Sequence, residues 1–171
     1  MARRSKLRLA LLSAAFAVLL GAGAPGPCVR GALYALRKES GFTQGCFAPC
    51  MCPIQMTQPL EGSFALIERT SGPPGLFREF DIRAVRWSVE RGTERIPITG
   101  SGRYRVGGEV AVTQQLELDL QIAGGPVQHF DSGLAPGGGD FPAIDVRVSV
   151  NGEFCYDTVL DVVAAPLAST L

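Results

Sequence analysis

Strict alternation of apolar and polar residues is the feature that most limits the folds open to this chain. It is clearest from Leu116 to Ile122, where every second residue is Leu or Ile and the residues between are Glu, Asp and Gln. It recurs from Val146 to Val150. Because successive side chains of a β-strand point to opposite faces, this pattern predicts strands with one buried face.

Breaks in the pattern mark a bulge and several turns. The phase shifts between Ile82 and Val85, which predicts a β-bulge. Glycine-containing pairs separate the apolar runs: Gly107-Gly108, Gly124-Gly125 and Asn151-Gly152. Asn-Gly is a strong hairpin signal because both residues accept positive φ. We therefore predict an all-β fold of about seven to nine antiparallel strands, a sandwich or partly closed barrel with a cysteine-containing N-terminal loop.

The N-terminal segment has the pattern of a secretory signal peptide. A basic head that ends at Arg8 precedes an apolar run from Leu9 to Leu20, and small residues follow. The apolar run is shorter than the roughly 20 residues of a membrane-spanning helix. We predict a signal peptide over residues 1–24, with cleavage after Ala22 or Ala24, and a single β-rich domain over 25–171. The mature chain is then exported to the periplasm or the extracellular space, with no transmembrane segment.

Charge argues against nucleic acid as a partner. The whole chain has 16 Lys+Arg and 16 Asp+Glu. Loss of the basic head, which holds Arg3, Arg4, Lys6 and Arg8, leaves 12 basic against 16 acidic residues. An acidic domain is a poor ligand for a phosphate backbone. The arginine-rich stretch from Arg78 to Arg105 is interpreted as a solvated strand face with cross-strand ion pairs.

Five cysteines are the main candidates for a site. Three of them, Cys46, Cys50 and Cys52, lie in the segment Gly45–Pro53. In an exported protein they favour disulfides. One arrangement links a cluster cysteine to Cys155, closing a loop of about 105 residues worth up to about 4.7 kcal/mol, and pairs Cys28 with another cluster cysteine. One thiol then stays free.

An alternative reading makes the cluster a soft-metal or redox site. Thiolates from Cys46, Cys50 and Cys52, with His129 as the single imidazole of the chain, would suit copper or zinc. The Cys46-x3-Cys50 spacing also looks like the copper-delivery motif of exported thioredoxin-like proteins. Those proteins alternate strands with helices, and this chain does not.

Catalytic motifs are weak, and we assign no catalytic residue. The segment from Phe130 to Gly133 has the shape of the aspartic-protease turn, with Asp131 as the carboxylate. The second copy that this chemistry needs is missing, and Asp-Ser-Gly is also a common turn sequence. A Ser-His-Asp hydrolase is disfavoured because the nucleophile-elbow motif is absent.

Several segments together resemble uncharacterised secreted bacterial proteins that carry a Gly-Cys-Phe-x-Pro-Cys-x-Cys-Pro motif. They are the signal peptide, Tyr34-Ala35-Leu36, Gly45–Pro53, Phe130–Gly133 and Cys155–Thr158. The resemblance implies an exported β-rich domain and no particular activity. We expect a binding or structural component of the cell envelope or extracellular space, not an enzyme, with an unidentified ligand or envelope protein as its partner. Trp87 and the phenylalanines are expected mainly in the core.

Overall fold

The computed structural model describes residues 31–50, 52–69, 75–137 and 141–167, and these residues form an all-β fold. The strands are β1 Gly31–Leu36, β2 Gly41–Cys46, β3 Gln55–Glu68, β4 Phe77–Arg91, β5 Glu94–Gly107, β6 Thr113–Ile122, β7 Val127–Asp131, β8 Ala135–Pro136, β9 Ile144–Ser149 and β10 Tyr156–Pro166. The predicted fold class is confirmed. The described residues contain no helix that could cross a membrane. The predicted signal peptide and Cys28 lie outside the described ranges.

The ten strands form one antiparallel sheet that curls round on itself. Neighbours follow the order β1-β10-β2-β3-β4-β5-β6-β7-β9, and β8 pairs with β6. β10 also pairs with β9, which brings the end of this order back towards its beginning. Closure is partial because β7 meets β9 at one residue pair, Asp131 with Ser149. We call the gap that separates β9 from β7 and β8 the seam.

The strand count exceeds the predicted seven to nine because β1 and β2 share one place in the sheet, and β8 has only two residues. β2 pairs with the first part of β3 and the first part of β10. β1 pairs with the later parts of the same two strands. They are two halves of one interrupted strand, separated by a turn in which the Ser40 N–H donates to the Arg37 carbonyl (2.9 Å).

Ser40 carries the hydrogen-bond ladder across this interruption. Its hydroxyl donates to the Val163 carbonyl (2.8 Å) and accepts from the Val163 N–H (3.1 Å). Its own carbonyl accepts from the Leu60 N–H (3.0 Å). One buried residue therefore bonds to β10 on one side and β3 on the other, where the strand itself is broken.

The bulge predicted in β4 is confirmed. The register of β4 against β5 shifts between Ile82 and Val85, and Ala84 has a positive φ of 51°. Opposite the bulge, β5 has Gly100 and Gly102 on its core face. A Cβ at either glycine would overlap backbone carbonyls of β6, so the close approach of β5 and β6 requires glycine here.

The Asn151-Gly152 hairpin is confirmed, with a loop longer than a two-residue turn. β9 and β10 pair antiparallel, and the Val150 N–H donates to the Thr158 carbonyl (3.2 Å). The buried Asp157 carboxylate holds the loop by accepting three backbone N–H groups, those of Asn151 (3.0 Å), Glu153 (2.7 Å) and Thr158 (2.7 Å). These bonds tie the loop to the start of β10, the strand to which Asp157 belongs.

The inward faces of the strands enclose one hydrophobic core. Its aromatic members are Tyr34, Phe42, Phe64, Phe80, Trp87, Tyr104 and Phe130. Phe64 links two of them, since its ring stacks on Tyr34 (centroids 5.4 Å apart) and meets the Trp87 ring edge-on (5.9 Å). The expectation that Trp87 and the phenylalanines are mainly core residues is correct for Trp87, Phe42, Phe64, Phe80 and Phe130. Phe154 is exposed, and Phe47, Phe77 and Phe141 are half-buried.

Replacing Ser40 with alanine should lower the free energy of unfolding by about 1–3 kcal/mol, because the partly buried Val163 N–H loses its acceptor. Urea denaturation followed by the fluorescence of Trp87 measures the change. Ser101→Ala, at an exposed strand position, is the matched control and should stay within about 0.5 kcal/mol of the parent protein. Equal effects of the two substitutions would show that Ser40 does not bridge the interruption.

Candidate functional site

The cysteine cluster lies in the loop after β2, at the end of the sheet where β10 begins. Cys46 forms a disulfide with Cys52, with Cα atoms 5.7 Å apart. Cys50 forms a disulfide with Cys155, with Cα atoms 4.9 Å apart. The Phe47 N–H donates to the Cys155 carbonyl (2.8 Å), so the loop also contacts the start of β10 through its backbone. We call this end of the sheet the cysteine end.

These pairings resolve the alternatives that the sequence left open, and one differs from the arrangement described above. The Cys50–Cys155 bridge spans 105 residues of sequence. The two remaining cluster cysteines, Cys46 and Cys52, pair with each other, and neither pairs with Cys28. The loop folds back because the Cys50 N–H donates to the Phe47 carbonyl (3.1 Å), which brings Cys46 and Cys52 within disulfide reach.

The soft-metal alternative finds no assembled ligand set here. Metal binding needs thiolates, and Cys46, Cys50 and Cys52 are all in disulfides. His129 lies on β7, where its Nδ1 is 2.8 Å from an oxygen of Asp119. In the described parts of the chain, no group of three or more His, Cys, Asp or Glu side chains is placed to hold a metal ion.

Asp131 and Ser132 form a turn and not a catalytic pair. The Asp131 carboxylate accepts from the Gly133 N–H and from the Gln115 amide, both at 2.8 Å. The Ser132 hydroxyl donates to the Gly133 carbonyl (2.8 Å) and accepts from the Leu116 N–H (2.9 Å). Each polar atom named here is used in joining the turn after β7 to β6, which is the structural role that a common Asp-Ser-Gly turn suggests.

The arginine-rich stretch forms ion pairs on the sheet surface. Arg95 of β5 reaches Glu61 of β3 (3.2 Å), and Arg83 meets Asp81 within β4 (3.2 Å). These pairs are largely exposed, so each contributes little to stability. Arg78 is different, because it lies beside aromatic rings at the opposite end of the sheet from the cysteines.

An apolar groove of about 440 Å³ opens at that opposite end. Its apolar and aromatic lining comes from β1, β3, β4, β10 and the segment before β9: Ala32, Tyr34, Leu66, Phe80, Phe141, Pro142 and Pro166. Phe80 and Phe141 stack with ring centroids 5.2 Å apart. We call this feature the aromatic groove. It is concave and mainly apolar, as small-molecule sites are.

Arg78 and Glu68 supply the charged groups of the aromatic groove. The Arg78 guanidinium lies 4.7 Å from the centroid of the Phe141 ring and 5.2 Å from that of Phe80. It also pairs with the Glu68 carboxylate at 2.9 Å. A cation held over aromatic faces is attracted by their negative quadrupole. The groove therefore presents a positioned positive charge beside an apolar floor.

Two buried tyrosines lie at the groove, Tyr34 in its lining and Tyr104 beside Phe80. Burial raises the pKa of Tyr104 to about 12, and the nearby Tyr34 adds to the rise. Burial also raises the pKa of Tyr34, while the charge of Arg78 opposes that rise. The Tyr104 hydroxyl donates to Gln114 at 3.0 Å. Both phenols are therefore neutral at physiological pH.

Sequence reasoning missed the aromatic groove, although part of its signal was present. Glu68 follows Leu66 by two residues, and Arg78 precedes Phe80 by two, so both charged residues continue the core-facing phase of their strands. A charged residue in that phase indicates a strand end where the interior opens. The contribution of Phe141 could not be found this way, because its position depends on how the segment before β9 folds.

Comparison of the chain with protein families, curated proteins and solved structures finds no match. Its function therefore has to be argued from its own residues.

The disulfide pattern makes a prediction about thiol content. Four of the five cysteines are in the two bridges. Thiol titration of the denatured mature protein should therefore find about one thiol before reduction and about five after it. Three or more thiols before reduction, with bound copper or zinc in a metal analysis, would overturn the disulfides and restore the metal alternative.

His129 makes a prediction about pH. The hydrogen bond to Asp119 is the largest cause that raises the pKa of His129, with smaller contributions from the charges of Asp131 and Glu117. The stabilising effect of this pair is complete below the pKa of an unfolded histidine, and it is lost as pH rises through the higher folded value. NMR titration of this single histidine should give a pKa above 6.5, and Asp119→Asn should lower it. An unchanged pKa in Asp119→Asn would contradict the assignment.

Proposed function

We propose that this protein is an exported binding domain whose aromatic groove takes a small amphipathic ligand. The ligand has an apolar or aromatic body and an anionic group. The observation that carries the proposal is the placement of Arg78 over Phe80 and Phe141 at the mouth of an apolar groove.

The size and lining of the groove support a small ligand. Its volume of about 440 Å³ falls within the roughly 300–1,000 Å³ typical of ligand sites. An apolar ligand body would cover the exposed surfaces of Ala32 and Pro142 and the partly exposed Phe141 ring, and this burial would contribute about 25 cal/mol for each Å² removed from water. The apolar floor of the aromatic groove does not discriminate among apolar groups. The charged side chains therefore determine which ligands bind.

The ion pair at the mouth supports an anionic group on the ligand. Arg78 is about half exposed, and Glu68 is less so. An anion that enters the groove competes with the Glu68 carboxylate for the Arg78 guanidinium. A planar carboxylate, or two oxygens of a tetrahedral sulfonate, can accept two parallel hydrogen bonds from arginine, which gives the ligand a defined orientation. A cationic ligand would instead meet Arg78 as a repelling charge.

Export is part of the proposal and has separate support. The basic and apolar N-terminal segment has the pattern of a signal peptide. The two disulfides suit an oxidising compartment, since such bonds are rare in reducing cytosol. A chain held by these bridges would keep the groove intact in the periplasm or outside the cell.

Binding of the fluorescent aromatic sulfonate 1-anilinonaphthalene-8-sulfonate tests the groove. We expect saturable binding to the folded parent protein, and a loss of at least tenfold in affinity in Arg78→Gln, because the anion loses its cation. Ala32→Trp should also block binding, since a large side chain at this exposed position fills the groove. Fluorescence titration at low and high salt measures each affinity.

Arg83→Gln is the matched control, because Arg83 is another exposed arginine of β4 that lies away from the groove. Its affinity should stay within about threefold of the parent value. Equal affinities in the parent protein, Arg78→Gln and Ala32→Trp would refute the aromatic groove as the binding site.

A further inference from the structure

The seam leaves one edge of β7 open. On one side β7 pairs with β6 over five residues, from Val127 to Asp131. On its other side, within the described ranges, the ladder contains the single pair of Asp131 with Ser149. The part of β7 before Asp131 is therefore an edge strand, the kind of strand that can pair with another chain.

The direction of the unpaired backbone groups follows from the neighbouring turn. Leu116 of β6 bonds with Ser132 in both directions, through the Ser132 N–H to its carbonyl (3.1 Å) and through its N–H to the Ser132 hydroxyl. Backbone groups alternate in direction along a strand. The groups of Phe130 therefore point to β6, while those of Val127 and His129 point into the seam and offer two N–H and two C=O groups.

The loop after β9 does not fill this part of the seam. Val150 would stand opposite Phe130 if the ladder continued from Ser149, but β9 ends there. In the loop that follows, the Asn151 and Glu153 N–H groups donate to the Asp157 carboxylate. Val127 and Val150 flank the gap and are 65% and 43% exposed.

The other half of the seam is closed by a side chain. The Gln114 amide nitrogen donates to the Pro136 carbonyl (3.2 Å) and to the Asp145 carbonyl (2.7 Å), so it joins β8 to β9. Its oxygen accepts from the buried Tyr104 hydroxyl (3.0 Å). An internal polar bridge thus replaces strand pairing there. Among the described residues, no equivalent bridge spans the half beside Val127 and His129.

Charge identifies the kind of strand that would fit. Asp119 of β6 is directly opposite His129 in the register, and Asp131 lies two residues further along β7 on the same face. Glu117 adds a third carboxylate, with Arg103 opposite it on β5. The mature chain is acidic as well. An incoming strand with basic side chains on this face and apolar side chains towards Val150 would be attracted by the carboxylates.

We propose that the seam binds an extended segment of a partner protein, with alternating basic and apolar residues, as an added strand on β7. The backbone groups of Val127 and His129 supply the hydrogen bonds of the new ladder, and the carboxylates on the outer face select basic side chains. This surface is separate from the aromatic groove and does not depend on the function proposed for it.

The probe is a labelled peptide, acetyl-Lys-Val-Lys-Val-Lys-Val-Lys-amide, and fluorescence anisotropy measures its binding to the full mature protein. We expect saturable binding that weakens with salt, and protection of the Val127 and His129 amides from hydrogen exchange. The same peptide methylated on alternate backbone nitrogens should bind at least tenfold more weakly, because it cannot form the ladder. A peptide with Glu in place of Lys should also bind at least tenfold more weakly.

His129→Pro removes one N–H that points into the seam, at an edge position where proline is compatible with the β6 ladder. It should weaken the peptide at least tenfold, whereas His129→Ala keeps the N–H and should stay within threefold. Ala32→Trp should leave peptide binding unchanged, which separates the seam from the aromatic groove. The proposal is wrong if no peptide binds, if methylation has no effect, or if the protected amides belong to a dimer of the chain itself.

Discussion

Pairing of β10 on both of its edges is the constraint on which the rest of this structure depends. One edge bonds to β2 and β1, and the other to β9, so the last strand brings both ends of the sheet together. Without it, the inward face of the sheet would be exposed, because an open sheet of this curvature has nothing to cover it. The partly closed ring lets strand faces as distant in sequence as those of Phe42 and Leu160 pack in one core.

Side chains complete the ladder where the backbone cannot. Ser40 bonds to Val163 at the break between β1 and β2, Gln114 joins β8 to β9, and Asp157 holds the loop before β10. Buried backbone groups need partners wherever a strand is interrupted. The side chains of these three residues supply hydrogen bonds to backbone groups at points where strand pairing is interrupted. Beside Val127 and His129, the backbone edge of β7 has no strand partner among the described residues.

The two ends of the ring differ in chemistry, and this difference shapes the proposed functions. At one end the Cys46–Cys52 and Cys50–Cys155 bridges join the loop after β2 to the start of β10. At the other end, aromatic rings and Arg78 surround an apolar groove. The disulfides are therefore interpreted as stabilising the fold, and the groove is the candidate site for binding a ligand. The cysteine cluster is conspicuous in sequence and the groove is not, because close cysteines are visible locally whereas the groove comes from five separate segments.

Features that depend on consecutive residues could be predicted from the sequence. Alternation from Leu116 to Ile122 predicted a strand with one buried face, the phase shift before Val85 predicted the bulge, and Asn151-Gly152 predicted a hairpin. The tertiary structure alone decided that Cys50 meets Cys155 and that Arg78 lies over Phe141. The physical reason is that strand periodicity is a local property of the backbone. Contacts between distant segments depend on how the whole sheet curls, and that curvature is set jointly by every strand pair.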